Sequence, residues 1–234
     1  MLLTYLLLLF QGQPEFTPDA TEPTLESESL LDVLLESGWF TMVIIAILVL
    51  LFIIGLYIFV ERYTTIKAAG SDESGFIDRI RQNISSGNMA GARALCQTTD
   101  SPVARMVDKG LQRIGRPLRD IDAAIENVGN LEVFRLEKGL STLASIAGAA
   151  PMIGFFGTVT GMIAAFREMA TAQNITPDVL AGGIYSALLT TAAGLFIGIL
   201  AFVGYNLLVA QVERVVYKME RTTTEFMDLL QEPS

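Results

Sequence analysis

PMIGFFGTVTGMIAAF, residues 151–166, carries no charged side chain, yet it holds a proline, three glycines (Gly154, Gly157, Gly161) and two threonines (Thr158, Thr160). A segment meant only to anchor the chain could be leucine and valine throughout. Residues that weaken a helix are tolerated inside a bilayer when neighbouring helices support the backbone. The stretch therefore reads as a span packed against other spans.

It belongs to a charge-free run of 28 residues, Gly139–Phe166, and two more such runs flank it: Trp39–Val60 (22 residues) and Val179–Ala210 (32 residues). Each is long enough to cross a hydrocarbon core of roughly 30 Å at about 1.5 Å per residue. These runs explain a composition that is 51% hydrophobic and only 18% charged. The expected fold is all-α: a polytopic membrane protein with three transmembrane helices, the second and third extended as long helices.

The net charge of −9 gains meaning when it is divided by segment. Residues 1–38 hold seven acids and no Lys or Arg, residues 61–138 hold twelve basic residues against eleven acids, and three basic residues follow Ala210. Basic residues mark the cytoplasmic face. The expected organisation is an outside segment 1–38, a first span 39–60, a cytoplasmic helical loop 61–138, a second span 139–166, a short outside loop 167–178, a third span 179–210 and a cytoplasmic C-terminal helix 211–234.

Within residues 1–38, the apolar MLLTYLLLLF could be the core of a signal peptide ending near residue 13, though it lacks a basic start. Leu30, Leu31, Leu34 and Leu35 share a helical face, which predicts a short amphipathic helix on the outer interface or the start of the first span. In the loop, Phe76, Ile77, Ile80 and Ile84 repeat at helical spacing until SGN breaks the pattern at residues 86–88. Ser101 and Pro102 form a cap and first-turn pair, followed by Val103, Met106, Val107 and Leu111. After GRP, Leu118, Ile121, Ile125 and Val128 open a run with no evident stop before the second span, so one continuous helix is expected there. Pro177 should open the third span, with Thr176 as its cap, and the charged faces should be solvated.

Composition excludes several chemistries. There is no His, so His-based metal sites and Ser-His or Cys-His nucleophiles are ruled out. The single cysteine, Cys96, forms no disulfide within the chain and reads as a small buried residue. GFFGTVTG lacks the spacing and lysine of a phosphate loop, and acids match bases in the loop, so neither nucleotide nor nucleic-acid binding is expected. The chain reads as no enzyme, with no cofactor.

What remains is a pattern of small residues. Ala147, Pro151, Gly154, Thr158, Gly161 and Ala165 step by 4, 3, 4, 3 and 4 along the second span; Ala187, Thr191, Gly194, Gly198, Ala201 and Tyr205 repeat those steps along the third. Thr158 and Thr191 fall at one depth, roughly 6 to 8 Å outward of the bilayer centre. Such stripes either let two helices approach closely or line a polar path or the seat of a partner helix. Pro151 frees a carbonyl near residue 147, as a tolerated kink or a hinge.

SIAGAAPMIGFFGTVTGMI and GGIYSALLTTAAGLFIGI closely resemble the two signature helices of the ExbB, TolQ and MotA proton-channel family, above all ExbB and TolQ. The resemblance covers roughly Leu118 to Leu230. It implies an inner-membrane homopentamer around single spans of an ExbD-like or TolR-like partner whose aspartate carries the proton, the whole converting proton-motive force into work on a TonB-like transducer. Thr158 and Thr191 match the family's threonines near that aspartate, with Thr190 an extra hydroxyl beside them. Pro151, Gly154, Gly157, Gly161, Gly194 and Gly198 would shape the kink and the packing. The family typically has a glutamate five residues before the threonine of the third helix; this chain has Ser186. The transported ion would be the proton, and the carboxylate would come from the partner. A TolQ-like or gliding-type motor and a passive membrane scaffold are the alternatives.

Overall fold

In the computed structural model, residues 39–70, 75–171 and 177–231 are described. The expected N-terminal helix, the possible signal peptide and the Thr176 cap lie outside them. Among the described residues seven helices follow in order: α1 Trp39–Ala69, α2 Phe76–Ser85, α3 Met89–Thr98, α4 Pro102–Leu111, α5 Leu118–Glu137, α6 Leu140–Thr171 and α7 Pro177–Gln231. No strand occurs among the described residues. By length and composition α1, α6 and α7 can each cross a membrane.

The spans form a three-helix layer. Close approaches pair Gly161 with Ala187, Gly154 with Gly194 and Gly198 with Pro151, so α6 and α7 run antiparallel. Gly204 faces Phe59 and Gly70 faces Val215, so α1 runs parallel to α7. Ile44, Leu48, Gly55, Arg62 and Ile66 form the single buried stripe of α1. Its other faces are large exposed hydrophobics, including Ile47, Leu50, Ile53 and Val60, which suits a helix bathed in lipid on most of its circumference.

Beyond the spans, α2, α4 and α5 pack on the second half of α7, and α3 packs against α2 and α4. Their boundaries follow local chemistry. Gly87 takes φ 74° after α2, and the Asn88 side chain accepts the Gly91 amide to start α3. Ser101 accepts the Ala104 amide and Pro102 opens α4, as the sequence predicts. One core joins these helices to the membrane layer, from Leu48 and Ile66 through Ile80, Val107 and Ile125 to Met219 and Phe226. Cys96 is buried in it, and burial, reinforced by the Asp108 charge, pushes its thiol up to about 12.

Two expectations need correction. The helix from Leu118 does not run unbroken into the second span: α5 ends at Glu137, Gly139 takes φ 84°, and α6 starts at Leu140. Only glycine adopts that conformation without a Cβ penalty, and the break strands carbonyls at the end of α5. Arg62 answers this from α1, its Nη1 donating to the Arg135 carbonyl at 3.1 Å while Glu61 holds the same guanidinium at 2.7 Å. A cation at a helix C-terminus is also favoured by the helix dipole.

The second correction concerns the charged faces, which are not all solvated. Arg62 is 9% and Glu132 3% exposed. Glu132 bridges Arg105 at 2.8 Å and Arg135 at 2.6 Å, tying α4 to α5. The hydrogen bond to Glu132 leads the causes that raise the Arg105 pKa. The sequence carried a sign of this, because Glu132 stands four residues after Val128 and seven after Ile125, on the apolar stripe of its own helix. A continuous third-span helix was expected and found: α7 runs 55 residues to Gln231, about 80 Å.

Candidate functional site: the seam between the second and third spans

The two small-residue stripes face each other. A methyl group added at Gly154 would lie 2.7 Å from the Thr190 carbonyl oxygen and 3.0 Å from Gly194 Cα; one added at Gly194 would lie 2.6 Å from the Ala150 oxygen. Backbone meets backbone, with Cα–H groups against carbonyls, a contact that recurs at helix interfaces in membranes. Pro151 lies inside α6 with its ring against Gly198, and the Ala147 carbonyl that it deprives of an amide partner faces the same glycine. Gly161 meets the Ala187 methyl, and Gly157 receives the Thr190 side chain.

The seam is rotated slightly from the expected faces. Ala150, Gly154, Gly157 and Ala165 are the buried line of α6, whereas Pro151, Thr158 and Gly161 are half-buried. On α7 the deepest hydroxyl belongs to Thr190, which is 0% exposed, while Thr191 is half-buried. A helix has 3.6 residues per turn, so a 4-3 repeat drifts around the axis and the contact line crosses from one row to the next. Sequence spacing alone set Thr191 on the stripe and Thr190 beside it; close packing reverses their depth.

This rotation sorts the hydroxyls into two kinds. Thr190 Oγ1 lies 2.6 Å from the Ala187 carbonyl and 3.3 Å from Gly154 O, so it is satisfied within the seam. Ser186 is buried and donates to Gly183 O at 3.1 Å, satisfied by its own helix. Thr158 and Thr191 instead meet at the rim of the seam, their oxygens 3.3 Å apart. Thr158 donates to Phe155 O at 2.6 Å, and Thr191 lies 3.0 Å from Gly154 O. With one proton each, these commitments leave lone pairs on both oxygens and a side open to a further partner. The expected juxtaposition of the two threonines is thus present.

Nothing else in the seam is chemically reactive. No Asp, Glu, Lys or Arg stands in the charge-free runs, and among the described residues no cluster of three or more His, Cys, Asp or Glu could hold a metal.

Three membrane-competent helices, two of them joined by a glycine seam with a hydroxyl pair at its rim, define the class as a helical membrane protein with a polar intramembrane locus. The sequence profile of the MotA/TolQ/ExbB proton channel family matches residues 98–221, a region that contains the seam. The TolQ protein of the Tol-Pal system from Pseudomonas aeruginosa is 30% identical over 181 residues, covering 73% of this chain and 78% of that relative. A putative biopolymer transport protein, an ExbB homolog from Methanothermobacter thermautotrophicus, is 28% identical over 171 residues, 71% of this chain and 61% of the relative. The biopolymer transport protein exbB1 of Vibrio cholerae is 42% identical over 89 residues, 38% of this chain and 39% of its own. This chain belongs to the MotA/TolQ/ExbB proton channel family.

Proposed function

We propose that this chain is the channel-forming subunit of a proton-driven motor. It assembles as a homopentamer in the bacterial inner membrane and encloses two single-span helices of an ExbD-like or TolR-like partner. Proton flow then drives work on a TonB-like transducer serving outer-membrane transport. In this reading the N-terminus is periplasmic, and the loop 61–138 and C-terminus are cytoplasmic, as the distribution of basic residues favours.

One observation carries the reading: the Thr158–Thr191 pair at the rim of an otherwise uncharged seam. A partner aspartate facing that rim must be held both as carboxylate and as neutral acid. The free lone pairs accept from the neutral acid, and a hydroxyl that turns away from its helix carbonyl donates to the carboxylate. Ser186, which stands where the family typically has a glutamate, carries a hydroxyl that does not titrate, so in this reading the single titrating group is the partner's. One charge crossing 100 mV releases about 2.3 kcal/mol, which exceeds the roughly 0.6 kcal/mol average of an interhelical hydrogen bond in a membrane. A few protons suffice to move one helix against another.

The test is proton flux in vesicles containing the co-expressed complex. Replacing both Thr158 and Thr191 by Val should lower flux about fivefold with assembly intact, in line with the roughly 1 kcal/mol of a lost hydrogen bond. Serine at both positions should restore it. Unchanged flux in the Val variant would mean that these hydroxyls serve only their own helices.

A second reading, a TolQ-like subunit with a different transducer, draws on the alignment with the Pseudomonas TolQ protein, which spans 78% of that relative. Affinity capture of the partner decides between them by which single-span protein is recovered. The passive scaffold draws on the seam itself, whose stripes are spent on each other. It requires flux that is indifferent to membrane potential.

A further inference from the structure

The membrane layer has a second feature that the seam does not use. Between α1, α6 and α7 lies a crevice of about 320 Å³ whose lining is entirely apolar, including Leu56 and Phe59 from α1, Ile146 from α6, and Leu200, Gly204 and Leu207 from α7. Two glycines, Gly55 and Gly204, hollow it out: the first leaves room against Leu143 and Ile146, the second admits the Phe59 ring. Along α1 it extends from Leu51 to Phe59, about 12 Å at 1.5 Å per residue. It is long, narrow and open towards the bilayer side of α1, where Leu56 is 53% exposed.

At its loop-side end the chemistry changes in an ordered way. The Phe59 ring stacks on Tyr63 at 6.1 Å, and Lys67 Nζ lies 5.9 Å from the centre of the Tyr63 ring. Three residues spaced by one turn thus lead from hydrocarbon through an amphipathic ring to an exposed cation. On the facing helix Arg214 is exposed seven residues beyond Leu207, on the same helical face. Apolar trough, interfacial aromatic and two exposed cations are the sequence of environments along one phospholipid, from acyl chain through glycerol ester to phosphate.

We infer that the α1–α7 crevice binds an acyl chain of an anionic phospholipid whose headgroup is held by Lys67 and Arg214. The acyl chain lies in the crevice beside Gly55 and the Phe59 ring and fastens α1 to the α6–α7 pair. Anionic headgroups are favoured over zwitterionic ones because their excess negative charge meets two juxtamembrane cations. This inference does not rest on the proton-path reading.

The full-length complex, reconstituted in vesicles, tests it. The chain's one tryptophan, Trp39, is replaced by Phe, and a reporter is introduced as Leu56→Trp or, on the opposite wall, Val203→Trp. Both reporter positions are exposed, so neither disturbs the core. Quenching by phosphatidylglycerol with brominated chains should exceed that by phosphatidylcholine with the same chains. The preference should fall roughly fivefold with each of Lys67→Gln and Arg214→Gln. Equal quenching by the two lipids would overturn the inference. So would protection of both reporters from either lipid, which would mean that a second copy of the chain covers the crevice.

Discussion

The two halves of α7 solve the same packing problem in opposite ways. Within the membrane, α7 meets α6 through absence: Gly154, Gly157, Gly194 and Gly198 remove side chains until main chains touch. Beyond the membrane, the same helix meets α4 and α5 through Phe226, which lies against Gly110 and Ile125, while Met219 and Val215 help fill the same core. The solvent explains the contrast. In water, burying Phe226 removes apolar area from a hostile medium; in lipid no such gain exists, and association depends on close contact and hydrogen bonds. One unbroken helix therefore carries two packing codes.

The comparison breaks most readily at the seam. Gly154→Leu should abolish folded, extractable protein, because its new atoms would meet the Thr190 carbonyl and Gly194 Cα, neither of which can swing aside. Size-exclusion profiles of solubilised protein would show this, and a normal profile would mean that the seam yields more than its backbone contacts imply. Phe226→Ala should destabilise the loop-side core by about 3–5 kcal/mol, the usual cost for a fully buried Phe, measured by denaturant titration of the helical signal.

Cys96 probes whether that core stays dry. With its thiol pushed up to about 12 from an ordinary 9.0, it is thiolate about a thousandth as often at pH 8 as an unfolded cysteine. Alkylation should be slower by at least that factor until the protein is denatured. The sign of the linkage follows: the folded value is the raised one, so this contribution to stability is fully present below 9 and declines as the pH climbs from 9 towards 12. A fast native reaction at pH 8 would reveal an open core.

The smallest effect sharpens the contrast most. A methyl group at Gly110 would lie 2.6 Å from Phe226 Cε1 and 2.8 Å from Ile125 Cδ1, as crowded on paper as Gly154. Its neighbours, however, are the ends of side chains. Gly110→Ala should change stability by less than about 1 kcal/mol, because repacking strain is offset by the helix preference of Ala over Gly. If it proves as damaging as Gly154→Leu, the loop-side core is as rigid as the seam and the distinction fails.

Much of this was legible in the sequence because bilayer thickness and helix geometry act on every residue in the same way. Charge-free runs gave the spans, Ser101–Pro102 and SGN gave the helix ends, and a 4-3 spacing placed Thr158 near Thr191. The misreadings share one cause, namely that they turn on what lies across a contact. Gly139 looked like the first residue of a span, and only Arg62, 73 residues before Arg135, shows how the broken helix end is capped. Glu132 sat on an apolar stripe, but its burial becomes tolerable only once Arg105 and Arg135 reach it.

The sequence by itself determined that the chain is helical, crosses a membrane three times and brings small residues and two threonines to matching depths, because periodicity and hydrophobic length are local properties. Only the tertiary structure decided which hydroxyls are consumed and which remain available. The stripes close on each other, Thr190 is sealed inside the seam, and Thr158 and Thr191 stand at its rim. Depth within an interface depends on how two helices cross, and no single helix contains that information.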